Sequence, residues 1–340
     1  MHLLIDIRSS HPSDFSAYYY AKIWVNFWIS LHPHDTISWL LYEDQDISEV
    51  NSFPIARDNP WFSKKKLASH SYGPDRIISF SQEKMIDPSV KTILHIPDIT
   101  EFLYPRSIQN WFTRKKREKE YKDILSKSHK IIVPHFDIGR ELAEVFQVSE
   151  EKIYVIPYLT DTQQRKNDHS IRSLYSLTGE YFFTEGTPGE EWNPLGILTQ
   201  YSQYIHEFHG EKKLVISGNL GENLGHIASY IRSFDLIDMV KIVGLLPLKE
   251  KEIILSHASA WISIGSYYGG GTTIIEAEIF DIPLILSDIP VLREYRSIRI
   301  HPNHLEELPN ILQNIHKNIL NKNTKDNTAI MGVYTTLIAQ

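Results

Sequence analysis

Residues Ala260 to Asp288 read AWISIGSYYGGGTTIIEAEIFDIPLILSD, and the order of residue types along them decides the fold class. Trp261 to Ile264 is a short apolar run with β-branched residues, the composition of a strand buried on both faces. Gly269, Gly270 and Gly271 follow it. Adjacent glycines permit positive φ and a close backbone approach to a ligand, and they lead into a helix predicted to start at Thr272 or Thr273. A second strand closes the stretch before Asp288. Strand, glycine loop, helix and strand make a parallel crossover whose helix N-terminus opens on the loop. Its free N–H groups and positive dipole end suit a phosphate or a sugar hydroxyl. Glu276 falls one turn inside that helix, on the side of Thr272 and Thr273, where its carboxylate can reach the ligand of the loop and hold a vicinal diol. The segment Thr273-Ile-Ile-Glu276 also fits a capping box, in which Glu276 only satisfies the helix's own N–H groups. The pattern leaves both readings open.

The chain around this stretch has 340 residues, enough for two domains of about 150 residues each. Hydrophobic residues at 42% and charged residues at 23% are ordinary for a folded soluble protein. No run offers the ~18 consecutive apolar residues of a membrane span. The opening MHLLIDIRSS turns polar at once and lacks the pattern of a secretory leader, so a cytoplasmic location is expected. The absence of cysteine excludes disulfides, thiolate zinc sites and a cysteine nucleophile. A net charge of −7 argues against nucleic acid and for small molecules as partners.

In chain order, His2 to Ile7 is a predicted strand. Ser16 to Leu31 is a predicted helix with Ala17, Ala21, Trp24, Trp28 and Leu31 on one face, a stripe that belongs in a core. The link between them has no glycine, which excludes a glycine-rich phosphate loop. Further strands are predicted at Ile37 to Tyr42, Arg76 to Phe80, Thr92 to Ile96 and Lys130 to Pro134, with a clear helix at Ser107 to Ser126. The alternation implies a parallel sheet covered by helices. His95, Asp98 and Tyr104 follow a predicted strand, where α/β sheets collect functional loops, although such residues also serve as turn and cap residues. The basic runs Lys64 to Lys66 and Arg114 to Arg117 are either solvated helix faces or attractors of an anionic membrane or lipid-phosphate acceptor.

Thr160 to Gly179 loses apolar periodicity and reads as a crossing between domains. A second α/β series follows: strands at Tyr181 to Thr184, Lys213 to Ser217 and Val240 to Val243, and helices at Pro194 to Phe208, Gly225 to Phe234 and Lys249 to His257. After the opening stretch come helices at His304 to Leu320 and Asn327 to Ala339. The last could pack on either domain.

Laid out this way, the chain resembles glycosyltransferase family 4. The likeness lies in KLVISG (Lys213 to Gly218), VKIVGLLPLKEKEIILSHASAWISIGS (Val240 to Ser266) and IIEAEIFDIPLILSDIPVLREY (Ile274 to Tyr295). In the first half, LHIPDITEFLYPR (Leu94 to Arg106) is similar to a segment of the mannosyltransferase-like branch, and HKIIVPHFDIGRELAEVFQVSEEKIYVIP (His129 to Pro157) also matches. The resemblance implies the GT-B fold, two Rossmann-like α/β domains facing across a cleft. It places an acceptor domain at 1–160, a nucleotide-sugar domain at 161–322 and a final helix at 323–340 crossing back to the first domain. It further implies a nucleoside-diphosphate sugar donor, a glycan or lipid-linked acceptor, and no required metal or other cofactor.

The family carries two glutamates separated by seven residues. Glu276 matches the second, which holds the donor ribose, and Tyr268 replaces the first. The family's Arg and Lys beside the leaving diphosphate are replaced by Thr187 and Trp192, its N-terminal glycine pair by Asp14 and Phe15, and its histidine before Asp98 by Pro97, unless His95 substitutes. The implied donor site comprises Gly186, Gly218, Tyr268, Gly269, Gly270, Gly271, Thr272, Thr273 and Glu276. Asp98 and His95 are the catalytic candidates near the acceptor, and Lys249 and Lys251 are candidates to replace the lost charge.

Two functions compete on this reading. One is a retaining hexosyltransferase of glycan assembly, cytoplasmic or peripheral at the inner membrane face. The other is a catalytically silent GT-B protein that binds a glycan or serves as a partner subunit of a transferase. A sugar-nucleotide epimerase shares the fold and is a third reading.

Overall fold

A computed structural model describes residues 1–8, 15–40, 73–82, 87, 89–103, 111–159, 169–186, 192–221, 223–266, 272–293, 295–315 and 327–340. The chain divides into two compact units. Met1–Phe102, Asn110–Asp161 and Lys325–Gln340 form one, and Thr162–Thr324 with Leu103–Gln109 form the other.

The first unit runs β1 (His2–Asp6), α1 (Phe15–Leu31), β2 (Thr36–Leu40), β3 (Arg76–Ser79), β4 (Thr92–His95), α2 (Thr100–Leu103), α3 (Trp111–Lys127), β5 (Lys130–Val133), α4 (Phe136–Phe146) and β6 (Ile153–Val155). Its described strands are parallel, in the order β2-β1-β3-β4-β5-β6. Every residue of β4 and β5 is buried, as expected for central strands covered on both faces.

The second unit runs α5 (His169–Leu174), β7 (Tyr181–Gly186), α6 (Pro194–His206), β8 (Lys213–Gly218), α7 (Asn223–Ser233), β9 (Val240–Gly244), α8 (Leu248–Ser256), β10 (Ala260–Ser263), α9 (Thr272–Ile279), β11 (Leu284–Ser287), β12 (Ile298–Ile300) and α10 (Leu308–Asn314). Its sheet is parallel in the order β12-β11-β10-β7-β8-β9, the doubly wound arrangement of dinucleotide-binding domains. Phe182, Leu214, Ile216, Ile262 and Ile285 of the strands pack against Ile197, Leu198 and Tyr201 of α6 and Ile227 of α7. Burying a side chain of this size contributes about 1.5–3 kcal/mol. Asn193 caps α6, accepting from Gly196 N at 3.1 Å, and Pro194 occupies the first turn, where its missing N–H costs nothing.

The ends of β7 and β8 are pressed together. Gly218 has φ +100°, and a Cβ there would lie 2.2 Å from the carbonyl oxygen of Gly186. A Cβ on Gly186 would meet Leu220 Cδ2 at 2.3 Å and the ring of Trp192 at 2.7 Å. Packing alone therefore requires glycine at both positions.

The closing helix α11 (Asn327–Ala339) belongs to the first unit. Its buried Tyr334 meets the hydroxyl of Tyr20 at 3.2 Å and the ring of Trp24 at 5.7 Å. Lys130 Nζ donates to Leu337 O and Gln340 Oε1, both at 2.8 Å, so a buried ammonium meets the negative end of the helix. Ala21, Trp24 and Trp28 of the predicted stripe are buried in α1, whereas Leu31 is 48% exposed, because the helix ends there before the turn at His32 and Pro33.

Three other expectations need adjustment. The supposed crossing Thr160 to Gly179 contains α5, which the sequence hides because the helix is short and has only two large apolar residues, Ile171, half-buried, and Leu174, exposed. The predicted helix His304 to Leu320 opens as a 3₁₀ turn at Leu305–Glu307 and continues as α10, with Pro309 in its first turn; residues 316–320 lie outside those described. Helix α4 was not predicted from periodicity, although His135 caps it by accepting from Asp137 N at 3.1 Å.

His95 lies in an aromatic stack. Its ring centroid is 4.2 Å from that of Phe80 and 5.6 Å from that of Tyr334, with small interplanar angles to both. Its Nε2 is buried and has no hydrogen-bond partner among the described residues. Burial pushes its pKa down from 6.5 to about 3. The folded state thus holds neutral histidine while the unfolded chain binds a proton first. The resulting stability is complete above pH ~6.5 and declines as pH falls toward 3, by about 1.4 kcal/mol per unit. Urea unfolding at pH 7 and pH 5 is expected to show a loss of about 2 kcal/mol from this residue, absent in His95→Phe. An identical pH dependence in that variant would show that His95 is not the group responsible. Gly218→Ala is expected to cost at least ~2 kcal/mol in the same assay at pH 7.

Candidate functional site

In the second unit the winding reverses at β7, which is paired with β8 on one side and β10 on the other. The strands that follow β7 and β10 in sequence therefore lie on opposite sides of this pair, and in open α/β sheets ligands bind at such a switch point. Four polar side chains converge there: Glu185 from the end of β7, Lys251 from α8, and Thr273 and Glu276 from the first turns of α9.

Lys251 Nζ lies 3.0 Å from Glu276 Oε2, 4.0 Å from Glu185 Oε1 and 3.3 Å from Thr273 Oγ1. Thr273 Oγ1 donates to Glu185 Oε2. The Lys251 side chain is 12% exposed. Burial works against its charge, but the carboxylates of Glu185 and Glu276 outweigh that penalty and hold its pKa above the ordinary lysine value. One ammonium against two carboxylates leaves the cluster at −1.

Glu276 is 6% exposed. Its ion pair with Lys251 is close, yet neither carboxylate oxygen has a hydrogen bond of acceptable geometry among the described residues. Lys251 is its close donor and leaves most of its lone pairs unfilled, whereas buried carboxylates normally find several partners. The capping-box reading does not supply them. It needs Thr273 at the helix cap and Glu276 reaching back to its N–H. Instead α9 starts at Thr272, Thr273 is inside the helix, and its hydroxyl is committed to Glu185.

Of the residues named from the sequence, Thr273 and Glu276 are brought together with Lys251, and Thr272 opens the same helix. Lys249 is exposed and outside the cluster. Gly186 and Gly218 pair at the neighbouring strand ends. Tyr268, Gly269, Gly270 and Gly271 lie outside the described residues, as do Asp14, Tyr104, Thr187 and Lys64 to Lys66. Trp192 is a core residue whose Nε1 donates to Thr184 Oγ1 at 3.2 Å. Asp98 and His95 stand in the first unit. Asp98 is half-buried in the turn after β4, and His95 is enclosed as a neutral ring that cannot accept a proton near neutral pH. Glu185 was missed. Its signal was an acidic residue at the penultimate position of an otherwise apolar strand, YFFTEG.

No protein-family model matches the sequence, and no curated protein is significantly similar to it. Solved structures do resemble it. Anabaena HepE in complex with UDP and glucose has a TM-score of 0.76 at 12% identity, covering 100% of both chains. Sucrose-phosphate synthase from Thermosynechococcus elongatus has a TM-score of 0.67 at 16% identity, again over 100% of both. The lipopolysaccharide outer core galactosyltransferase WaaB in its apo form has a TM-score of 0.60 at 12% identity, over 98% of this chain and 94% of its own. The fold is the GT-B fold of glycosyltransferases, built from two parallel-sheet α/β units.

Removing Lys251 would leave two carboxylates facing each other. Lys251→Met is expected to lower stability by about 3 kcal/mol. Combining it with Glu276→Gln should recover part of that loss, giving a coupling of at least ~1 kcal/mol in a double-mutant cycle of urea unfolding. Strict additivity would mean the two side chains do not act as a pair.

Proposed function

We propose that this protein binds a nucleoside-diphosphate sugar on its second unit and transfers the sugar to a glycan or lipid-linked acceptor. The observation that carries this reading is the buried carboxylate of Glu276 near the carboxyl ends of β7 and β10, whose close partner among the described residues is the Lys251 ammonium at 3.0 Å. A vicinal diol would supply hydroxyl donors to its remaining lone pairs, and the ribose of a nucleotide is such a diol. HepE, with the same fold, has been crystallised with UDP and with UDP-glucose, which favours UDP as the first nucleotide to test. Lys251 acts in this reading as a positioning residue that holds the Glu276 side chain in place. Retention of configuration and independence of metal rest on the resemblance to family 4, and a glycan acceptor is in keeping with the function named for WaaB.

A catalytically silent GT-B protein that binds a glycan, a nucleotide or a transferase partner is the second reading. It is favoured by Trp192, which takes a position where the resemblance places a cation and is buried in the core.

The test is the thermal unfolding midpoint against UDP, GDP, ADP, TDP and their sugars. Ligand at about 100 times its Kd stabilises the native state by about 2.7 kcal/mol, so one nucleotide should raise the midpoint by several degrees. Glu276→Gln should abolish most of the shift and leave the ligand-free midpoint near that of the parent. A full shift in that variant would remove Glu276 from the site. With the nucleotide known, release of free nucleotide from its sugar conjugate separates the readings: turnover supports transfer, and binding without turnover supports the silent protein.

A further inference from the structure

Helix α3 is unlike the other long helices of the first unit, because only Tyr121, Ile124 and Leu125 of its seventeen residues are buried. Its first turn exposes two aromatic side chains, Trp111 at 63% and Phe112 at 74%, packed edge to face with centroids 4.9 Å apart. The helix carries seven basic residues against three acidic ones, a net of +4 on a chain whose total is −7.

These charges are sorted by direction. At about 100° per residue, Trp111, Phe112, Lys115, Lys116, Lys119 and Lys122 share an arc of roughly 140°, opposite the buried residues, together with one acidic residue, Asp123, which is paired with Lys127 at 2.6 Å. The two arginines point the other way. Arg114 Nη2 donates to Phe102 O at 3.0 Å and Arg117 Nη1 to Gln82 O at 3.4 Å, so both tie the helix to the body of the unit. Lys115, Lys116 and Lys122 are largely exposed and pair with Glu118 and Glu120 only through surface contacts of 3.2–3.9 Å, which contribute little and exchange readily.

We propose that this outer face of α3 docks the protein on an anionic lipid bilayer. Lysines on the arc meet lipid phosphates, and Trp111 and Phe112 enter the interface, where aromatic rings are favoured. The match is one of charge and of amphipathic side chains. A soluble anion would need the lysines but give the two exposed rings nothing to cover. The contact is peripheral, since no helix among the described residues is long and apolar enough to cross a membrane.

Co-sedimentation of the whole chain tests this with vesicles of phosphatidylcholine mixed with phosphatidylglycerol, compared with phosphatidylcholine alone. The protein is expected to sediment with the mixed vesicles and stay in solution with the neutral ones, less completely as salt rises. Lys115→Glu with Lys119→Glu should weaken binding on the order of tenfold or more. Trp111→Ser with Phe112→Ser should weaken it at constant charge. Unchanged thermal midpoints would verify that these surface variants fold. Failure to sediment, equal binding of the charge-reversed variant, or binding that needs the lysines but not the aromatic pair would each overturn the proposal. The last outcome would mark the face as a site for an acidic protein or a soluble anion.

Discussion

Strand β7 is hydrogen-bonded to β8 on one side and to β10 on the other, and the second unit is arranged around that position. Parallel neighbours cannot be joined by a hairpin, so each connection is a long crossover. The chain leaves β7 in one direction through β8 and β9, then returns to the opposite side for β10, β11 and β12. The order therefore switches between β7 and β10, the place where open α/β sheets bind ligands. A polar side chain at the carboxyl end of either strand can leave the sheet there, whereas the same residue one or two positions earlier would be in the core. Glu185 is placed this way, one residue before Gly186, whose missing side chain lets β8, Leu220 and Trp192 close in beside it.

Lys251 then determines what the crevice tolerates. Its ammonium lies 3.0 Å from a Glu276 oxygen and 4.0 Å from a Glu185 oxygen, so it holds both side chains at one point. Thr273 completes the arrangement by bridging lysine and Glu185.

Much of the fold was legible because parallel strands and their helices have short-range signatures. Ala260 to Asp288 contains β10, α9 and β11 where the apolar runs and the threonine pair predicted them, and the stripe Ala21, Trp24 and Trp28 is core. What escaped depends on distance in sequence. That His95 is sealed beneath Tyr334 follows from α11 returning to the first unit, which no local pattern encodes. The sequence reads Glu276 as a cap or as a ligand-binding group, and what bears on the choice is where α9 begins and Glu185, a strand residue far upstream that takes the Thr273 hydroxyl. Lys251 and Lys249 looked equivalent as candidates. The direction of α8 separates them, sending one into the crevice and the other to solvent.

The balance of charge narrows the chemistry further. A cluster at −1 repels a second anion. With an effective dielectric near 20, a unit charge about 6 Å away feels roughly 3 kcal/mol of repulsion. Lysine 251 is already committed to two carboxylates and cannot reverse that sign. On the proposed function, the cluster would accept hydroxyl hydrogens in preference to holding phosphate. If a nucleoside diphosphate binds here, its ribose belongs against Glu276 and its phosphates must be directed away from Glu185. Groups other than Lys251 then carry the diphosphate charge, and the orientation of the donor is set by repulsion as much as by attraction.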